Sequence, residues 1–560
     1  MSEGRAEEND LGVLENIRHK LDYKKVEGYS LDEQQVSCIE NDTMNTLVVA
    51  GAGTGKTTTI IGKIKWILKN WVSKRQLTHK SAEPPPKVLV ISFTHASKEE
   101  LERRILSEIL QDDLVFKIYH PGDFVEVETF HSLALRMVKG LISNNFKLEV
   151  SGFEGFLKNV MASTTATDAP DLILTEEKAE RFSHLYSLLQ NYNVSISSLQ
   201  KLVRERFRYF WQQDELQKLR ASLLKLTKYT REYQESLKST GSVDFAGLLE
   251  LAKTSLDTNF SYDYVIIDEY QDISPLEYLL IKKLREIHDF KLFCVGDDWQ
   301  TIYQFAGSEI SLILNFEKCW GETNVFKIER TYRFPEKLAE LSGSFIMQNR
   351  AQLVKQIRGK RLDEPDQIVE INGPSERTDL NALYYFLLSL PMHAKIFLIG
   401  RYNFDIRKIS HCEYLTVESY EDKFLITMRE RPDIQFDFMS AHKSKGLQAD
   451  YVFIINCRDA TLGFPSRVEE DKLAGLVREL AILKLSNNKD TGRRFQFLRD
   501  FLWKKKPSDS DFAFSEERRL FYVAMTRARK KVLFLTVKDK ESPFILELRE
   551  NSDLKTYFLD

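Results

Sequence analysis

The chain has 560 residues, of which 42% are hydrophobic and 29% charged. This composition is typical of a globular protein with about three or four structural units. No apolar run approaches the ~18 residues needed to span a membrane, and the acidic, polar N-terminus is unlike a secretory signal. The formal net charge of −3 gives no overall attraction to nucleic acid, so such a partner would require a locally basic surface.

The cysteines are too scattered to form a metal or disulfide framework. The chain has five of them, and none has the spacing of a zinc, iron–sulfur or disulfide site. We therefore expect reduced thiols and a cytoplasmic location.

Two helical segments are predicted before the first strand. Residues 1–29 are charged and predict a helical lead-in, to which we assign no function. Residues 31–35, LDEQQ, then begin a short helix with Asp32 near its start. Two interpretations stay open here: the segment is a capped amphipathic helix, or Gln35 grips adenine through its side-chain amide.

Residues 46–59, TLVVAGAGTGKTTT, predict a buried strand, a glycine-rich phosphate loop and a helix N-terminus. Backbone N–H groups of such a loop face the phosphates of ATP, Lys56 reaches the β- and γ-phosphates, and the Thr57 hydroxyl binds Mg²⁺. The strict pattern has glycine at the position of Ala50. An ordinary glycine turn is the alternative, and Gly-Lys-Thr-Thr at the start of a helix argues against it. The predicted loop residues are Ala50, Gly51, Ala52, Gly53, Thr54, Gly55, Lys56, Thr57 and Thr58.

The next two strands also end in polar or aromatic side chains. The run at 88–93 is followed by Thr94 and His95, and the run at 125–128 by Thr129 and His131. Carboxyl ends of strands are where α/β proteins bind ligands. We therefore treat these four residues as candidate ligand contacts.

Residues 140–240 have helical periodicity. Within them, residues 201–231 contain nine Lys/Arg against three Asp/Glu, interleaved with aromatic residues. This pattern fits amphipathic helices with buried aromatics, or a basic aromatic face along a nucleic-acid backbone. The aromatic residues are Phe207, Tyr209, Phe210, Trp211 and Tyr229.

Two further strands are predicted to complete the nucleotide site. Residues 264–268 form a hydrophobic run that ends in Asp268 and Glu269, which fits Mg²⁺ binding and activation of water. An acidic turn is the alternative. After the run at 291–296, the Gln300 amide could sense a γ-phosphate, and Tyr303 and Phe305 could stack on bases.

A second α/β unit is predicted from residue 326, with candidate strands at 325–329, 395–400, 436–440, 451–456 and 532–537. Residues 466–513 are expected to be a polar, basic, partly mobile insertion. The basic groups at 331–333 and 516–529 are either solvated surfaces or functional sites.

Taken in order, these segments resemble the motif series of superfamily 1 helicases of the UvrD/Rep-like group, and within it the helicase IV branch without its N-terminal extension. The resemblance covers about residues 30–545. Its motifs are VIIDEYQDISP (265–275), VGDDWQTIYQFAG (295–307), TYRF (331–334), HKSKGLQADYV (442–452), GFP (463–465) and EERRLFYVAMTRAR (516–529).

The resemblance implies an α/β fold of two RecA-like P-loop NTPase domains, each a parallel sheet flanked by helices, with ATP in the cleft between them. The first domain would comprise residues 30–139 and 241–325, with a helical insertion at 140–240. The second would comprise residues 326–545, followed by a C-terminal tail at 546–560. The large insertion of the second domain (2B-type) is expected to be reduced or absent, because only about 40 residues separate Arg401 from His442.

The resemblance also implies residue roles. Gln35 would contact adenine, Tyr332 would stack on it, and Gln448 would bond the ribose. Lys56, Thr57, Asp268 and Glu269 keep the roles given above, and Gln300 would couple the γ-phosphate to the DNA site. Arg333 and Arg527 would act as arginine fingers from the second domain.

Single-stranded DNA, and its junction with duplex, would cross both domains. The implied contacts are Phe93, Thr94, His95, Thr129, His131, Tyr303, Phe305, Arg401 and His442. His95 stands where Asn is common, and Ala306 stands where an Arg could touch phosphate. The expected activity is ATP-dependent 3′-to-5′ translocation with duplex unwinding, in repair, recombination or replication. Remodelling of protein–DNA complexes, service to a partner nuclease, and an RNA substrate are the alternatives.

Overall fold

The structure is a computed structural model. It describes residues 22–78, 84–109, 124–139, 147–163, 174–206, 213–256, 260–361, 367–410, 412–420, 423–485, 514–550 and 554–559. Within these ranges, no helix combines the length and apolar character needed to cross a membrane.

The first domain is built on a six-stranded, fully parallel sheet. Central parallel strands are buried on both faces, which is why the four inner strands are mostly apolar, whereas the two edge strands carry polar residues. The order across the sheet is sixth, first, fifth, fourth, second and third strand. In chain order the strands are Asn45–Ala50 (β1), Val88–Ser92 (β2), Val125–Thr129 (β3), Tyr264–Ile267 (β4), Lys291–Gly296 (β5) and Asn324–Ile328 (β6).

This order places β1, β5 and β4 side by side. The residues that follow each of them therefore meet at one edge of the sheet. Helices cover both faces of the sheet, in two separate apolar cores. They are Glu33–Glu40, Lys56–Thr78, His95–Ile109, Phe130–Lys139, Phe245–Thr254 and Pro275–Ile287.

Strand β6 corrects the predicted domain boundary. The sequence interpretation placed residues from 326 onward, and a strand at 325–329, in the second unit. Instead β6 pairs in parallel with β1, with Val325 opposite Leu47. It is an edge strand with several exposed positions. Its local pattern therefore does not indicate which sheet it joins.

The second domain is built on an eight-stranded sheet. Its order is β9-β10-β11-β8-β12-β13-β7-β14, and only the β9–β10 and β10–β11 pairs are antiparallel. The strands are Ile368–Gly373 (β7), Lys395–Gly400 (β8), Leu415–Tyr420 (β9), Lys423–Met428 (β10), Gln435–Ser440 (β11), Ala449–Ile454 (β12), Ala528–Val537 (β13) and Lys555–Phe558 (β14). Its main helices are Glu336–Met347, Glu376–Ser389, Ser515–Met525 and Pro543–Arg549.

Both ends of the described chain differ from the sequence interpretation. Residues 22–30 form a short antiparallel pair, Lys25–Val26 with Tyr29–Ser30, rather than a helix. Residues 1–21 lie outside the described part. The predicted C-terminal tail at 546–560 instead contributes β14 to the second sheet, where Thr556 Oγ1 donates to Glu370 Oε2 at 2.9 Å.

Between Arg401 and His442 the described residues form a 3-10 turn at Asn403–Asp405, the short helix Ile406–Ile409 and strands β9 to β11. This is the position where the large insertion was expected to be reduced or absent.

The helical domain comprises the helices Gly152–Ser163, Glu176–Asn191, Ile196–Arg206 and Gln213–Thr240. Tyr229 is buried among them and lies 6.0 Å from the Phe182 ring. This burial favours the amphipathic interpretation of the basic stretch at that residue. The other aromatic residues of that stretch, Phe207 to Trp211, lie outside the described residues.

A helix from the second domain packs onto this helical domain. We call this helix, Lys472–Leu485, the strap helix. Its buried residues belong to the core of the helical domain. Arg181 forms an ion pair with Asp471, and Lys484 Nζ donates to the Asn193 carbonyl at 2.8 Å. The buried strap residues are Leu473, Ala474, Leu476, Val477 and Ala481.

The strap helix differs from the expectation of a polar, partly mobile insertion at 466–513. Its buried face is apolar because it completes the core of another domain, whereas its neighbours in sequence are polar. Residues 486–513 lie outside the described part of the chain.

Replacing Leu473 with alanine is expected to destabilise the helical domain by about 2–5 kcal/mol, because this fully buried side chain leaves a cavity in a shared core. Thermal unfolding and limited proteolysis of the full chain measure the effect. Ile482→Ala is the matched control, since Ile482 is exposed on the same helix. Indistinguishable melting and cleavage of the two variants would contradict the shared core.

Candidate functional site

The phosphate loop leaves the carboxyl end of β1 and enters the helix at Lys56. Gly53 and Gly55 have φ of +72° and +84°, a left-handed conformation that glycine adopts without strain. Within the loop, Thr54 Oγ1 donates to the Gly51 carbonyl at 3.0 Å. Of the other predicted residues, Ala50 and Ala52 are buried, and Thr57 and Thr58 are half-buried on the first helical turn.

The second domain encloses this loop. The backbone N–H of Tyr332 donates to the Gly53 carbonyl at 2.9 Å, and Thr331 Oγ1 donates to the Ala52 carbonyl at 2.8 Å. A Cβ atom at Gly53 would lie 2.5 Å from the Arg333 Cβ. The TYRF motif is therefore packed directly against the phosphate loop.

An acidic pair faces the loop lysine. Lys56 Nζ lies 3.1 Å from Glu269 Oε2. Burial opposes ionisation of Glu269, but the charges of Lys56 and Lys445 outweigh it and lower the pKa of this carboxyl. For Asp268, burial and the negative charge of Glu269 raise the pKa. The surroundings thus shift the pKa values of these two adjacent carboxyl groups in opposite directions, as is common at sites of acid–base chemistry.

Glu269 also has an unusual backbone conformation. Its φ is +48°, which is rare for a residue with a side chain and is concentrated at functional sites. The Gln271 side-chain amide donates to Glu269 Oε2 at 2.6 Å and so holds the carboxylate at the edge of β4.

Two arginines from the second domain converge on the same place. Arg527 is fully buried, and its Nη2 donates to Gln300 Oε1 at 3.4 Å. Arg333 Nη1 donates to the Thr526 carbonyl at 3.5 Å. Burial lowers the pKa of both guanidinium groups, and the charge of Arg333 lowers that of Arg527 further. A polyanion bound beside them would relieve this cost.

Gln300 joins several parts of the site. Its Nε2 donates to Asp297 Oδ2 at 2.6 Å, and its carbonyl accepts from Lys445 Nζ at 2.8 Å. Lys445 also forms an ion pair with Asp272 of the first domain. The sequence analysis did not assign Lys445, although it lies within the quoted HKSKGL run.

The predicted adenine contacts lie at the outer end of the loop. Gln35 is buried; its Nε2 donates to the Thr54 carbonyl at 3.3 Å, and its Oε1 accepts from the Asp32 N–H at 3.0 Å. Asp32 and Gln35 form a capping box, as the capped-helix interpretation predicts, and the adenine contact of Gln35 stays a prediction alongside it. The Tyr332 ring is 52% exposed, and its hydroxyl donates to Asp32 Oδ2 at 3.0 Å. Gln448 is half-buried, just beyond Leu447, whose carbonyl accepts from Arg527.

A cavity of about 620 Å³ lies between the first domain and the helical domain. Polar and aromatic side chains from both domains line it, including Phe245 and Asn191. Five predicted DNA contacts share this cavity: Phe93, Thr94, His95, Thr129 and His131.

An aromatic cluster continues from the cavity towards the second domain. Phe93 and Tyr303 are stacked with ring centroids 5.8 Å apart and planes 11° apart. Phe305 is 44% exposed and lies 5.1 Å from the His442 ring. Burial and the charge of Arg401 lower the pKa of His442 to about 4, so this ring is neutral at pH 7. Lys445 Nζ lies 4.9 Å from the Tyr303 ring centroid.

Arg401 is held differently from the other predicted DNA contacts. Its Nε and Nη2 both donate to Glu517 Oε1, at 2.9 and 2.6 Å. Glu517 Oε2 also accepts from the Ser466 N–H at 2.9 Å. The guanidinium group is therefore committed to a structural contact within the second domain.

Comparison with known proteins finds two family profiles that match successive parts of the chain. The profile of the UvrD/REP helicase N-terminal domain matches residues 31–320, and that of the UvrD-like helicase C-terminal domain matches residues 412–540. The chain is 28% identical to DNA helicase IV of Escherichia coli K12, over 95% of this chain and 72% of that protein.

Other relatives are matched over less of their length. The ATP-dependent DNA helicase PcrA of Bacillus subtilis is 24% identical over 57% of this chain and 40% of that protein. The ATP-dependent DNA helicase Rep of Buchnera aphidicola is 28% identical over 59% of this chain and 47% of that protein. The chain thus matches less than half the length of these two relatives.

The N-terminal profile alone covers more than half of the chain, and the C-terminal profile follows it in the second domain. Two domains with largely parallel sheets flanked by helices fit both matches. The chain belongs to the UvrD/Rep family of helicases.

Proposed function

We propose that the protein is an ATP-dependent DNA helicase that moves 3′ to 5′ along single-stranded DNA and separates duplex. The observation that best supports this is the position of Gln300. Its side chain bonds to Arg527 on the nucleotide side, and its carbonyl accepts from Lys445, whose ammonium group lies over Tyr303 in the aromatic cluster. One turn thus contacts both sites, as coupling of ATP turnover to DNA movement requires.

The nucleotide is ATP with Mg²⁺. The phosphate loop would bind the phosphates of ATP, and Lys56 would neutralise part of their charge. Thr57 and Asp268 would hold Mg²⁺, because a hydroxyl and a carboxylate are the hard oxygen ligands that this ion prefers. Glu269 would orient the attacking water and accept its proton. Tyr332 and Gln35 would contact adenine, and Gln448 the ribose.

Arg333 and Arg527 would neutralise charge on the transferring phosphoryl group. Both come from the second domain, so turnover would require the cleft between the domains to close. ATP binding and release would then move the two domains relative to each other.

Single-stranded DNA would occupy the cavity and the aromatic cluster. Stacking on aromatic rings contributes about 1–3 kcal/mol per base and tolerates any sequence. Phe305 and Tyr303 are placed for this role, with the remaining predicted contacts along the same path. Because Arg401 is paired with Glu517, we expect it to support DNA binding indirectly, by orienting the second-domain surface.

Phe305→Ala is expected to weaken affinity for single-stranded oligo-dT by about tenfold, because one exposed stacking ring is lost. Fluorescence anisotropy measures this change. Phe404→Ala is the matched control, since Phe404 is an exposed aromatic of the second domain outside the cluster. Unchanged affinity in Phe305→Ala would remove this ring from the DNA path.

Unwinding of tailed duplexes tests the whole proposal. We expect ATP turnover to rise strongly with single-stranded DNA and much less with RNA, and strand displacement to require a 3′ tail. Displacement only from 5′ tails would overturn the proposed direction. Equal stimulation by RNA would overturn the assignment to DNA.

A second function is favoured by one observation. The described residues between Arg401 and His442 form a hairpin and a short helix instead of a large helical insertion. The protein could therefore be a translocase that remodels protein–DNA complexes or serves a partner nuclease. Strong stimulation of ATP turnover without displacement from any tailed duplex would identify this function. All five cysteines are free thiols, and we place either activity in the cytoplasm.

A further inference from the structure

A segment without any assigned role is docked against the Gln300 turn. We call residues 353–357 the docking segment; it follows the helix Glu336–Met347. The Leu353 N–H donates to Asp298 Oδ2 at 2.8 Å, and its carbonyl accepts from Trp299 Nε1 at 3.1 Å. Both bonds join the backbone of Leu353 to side chains of the Gln300 turn, so this end of the segment is held through its main chain.

The centre of this contact is a fully buried ion cluster. Lys355 Nζ pairs with Asp297 and Asp298, and the side chains of all three are completely shielded from solvent. Lys355 Nζ also lies 4.4 Å from the Trp299 ring centroid. Apolar side chains of similar size are usually at least as stabilising as a buried ion cluster. What such a cluster adds is a fixed geometry for the carboxylates.

The geometry of Asp297 determines that of Gln300. Asp297 Oδ1 is held by Lys355 and by the Trp299 N–H at 3.2 Å, which leaves Oδ2 to accept from Gln300 Nε2 at 2.6 Å. A carboxylate accepts but does not donate, so the amide must turn its nitrogen towards Asp297. Its oxygen then faces Arg527.

The same segment also touches the phosphate loop. A Cβ atom at Gly51 would lie 2.3 Å from the Ile357 Cδ1, so Ile357 packs directly on that glycine. The Gln356 N–H donates to Glu329 Oε1 at 2.8 Å, at the end of β6. The segment therefore spans the Gln300 turn and the loop that would hold ATP.

We propose that Lys355 is a positioning residue for ATP turnover. It holds the Asp297 carboxylate so that Gln300 presents its amide oxygen to Arg527, and thereby sets how strongly DNA stimulates hydrolysis. The role of Lys355 rests on the proposed function of Gln300 and Arg527. It touches neither ATP nor DNA in this assignment.

A double-mutant cycle tests the proposal in the full-length chain. Lys355→Met, Gln300→Ala and the combination are compared with wild type for ATP turnover with and without oligo-dT. Binding of a fluorescent non-hydrolysable ATP analogue and thermal unfolding are measured in parallel. We expect Lys355→Met to lower DNA-stimulated kcat at least tenfold while analogue affinity changes less than twofold. In the Gln300→Ala background, Lys355→Met should change kcat less than twofold, because the residue through which it acts is gone.

Two further variants separate positioning from folding. Lys360→Met removes an exposed lysine from the same stretch and should behave as wild type. Lys355→Met combined with Asp298→Asn keeps the net charge of the cluster unchanged, so this variant is expected to fold even where Lys355→Met alone does not. Because Asp297 still lacks its lysine, stimulation should stay low.

Wild-type stimulation in the charge-matched variant would overturn the proposal. The same conclusion follows if Lys355→Met lowers kcat equally in both backgrounds. Failure of the proposed function is visible separately, in the wild-type protein. If wild-type turnover does not respond to DNA, the same comparison of kcat is made on basal hydrolysis.

Discussion

Arg527→Ala is expected to lower the DNA-stimulated turnover of ATP by about 10³–10⁵, the usual effect of removing an arginine finger. This corresponds to roughly 4–7 kcal/mol of activation free energy. The reason is structural: the guanidinium is fully buried beside Gln300, where a charge developing on the γ-phosphate is poorly screened by water. Steady-state ATP turnover with saturating oligo-dT measures the effect.

Arg529→Ala is the control for this experiment. Arg529 belongs to the same TRAR run but is exposed on β13, so its loss should change turnover less than about threefold. Arg527→Lys is informative as well, since lysine keeps the charge but not the planar fork. An Arg527→Ala protein that retains a tenth of wild-type turnover would rule out this arginine as a catalytic residue.

Glu269→Gln is expected to lower turnover by about 10²–10⁴, the range for loss of a general base. Nucleotide affinity should be preserved or increased, because glutamine keeps the shape and removes a negative charge next to the phosphates. Lys56 Nζ lies 3.1 Å from this carboxylate, so the substitution leaves the lysine free for ATP. Pre-steady-state hydrolysis and binding of a fluorescent ATP analogue separate the two effects.

For Glu269 the control is Glu286→Gln. Glu286 is an exposed partner of Lys283 on the helix Pro275–Ile287, and its loss should leave turnover unchanged. If Glu269→Gln weakened analogue binding as much as it slowed hydrolysis, Glu269 would be a binding residue rather than the base.

The sequence predicts those site residues that follow directly after a recognisable strand. Lys56, Asp268 and Gln300 each follow a hydrophobic strand, and parallel strands bring their carboxyl ends to one edge. The order of β1, β5 and β4 confirms that these ends are neighbours. The strand pattern and the residue types identify these positions, whereas their adjacency depends on the strand order.

The parts that were missed depend on packing between distant segments. Lys355 lies in a run, VKQI, that looks like an ordinary surface turn, and its two carboxylate partners are almost 60 residues earlier. The sequence predicts that Arg401 is available to DNA, yet it is paired with Glu517, which lies 116 residues later in the chain. Strand β6 has no local feature that assigns it to the first sheet. Pairings of this kind are decided by the tertiary fold.

The strap helix has a consequence for synthesis of the protein. The helical domain ends in sequence near Thr240, but the helix that completes its core ends at Leu485. A ribosome adds about 5–20 residues per second, so roughly 10–50 s pass between the two events. During that interval Leu473 and Val477 are not yet available to this core. We therefore expect the nascent chain to expose a hydrophobic surface that a chaperone can bind, and the helical domain to reach its final packing only after the strap helix has left the ribosome.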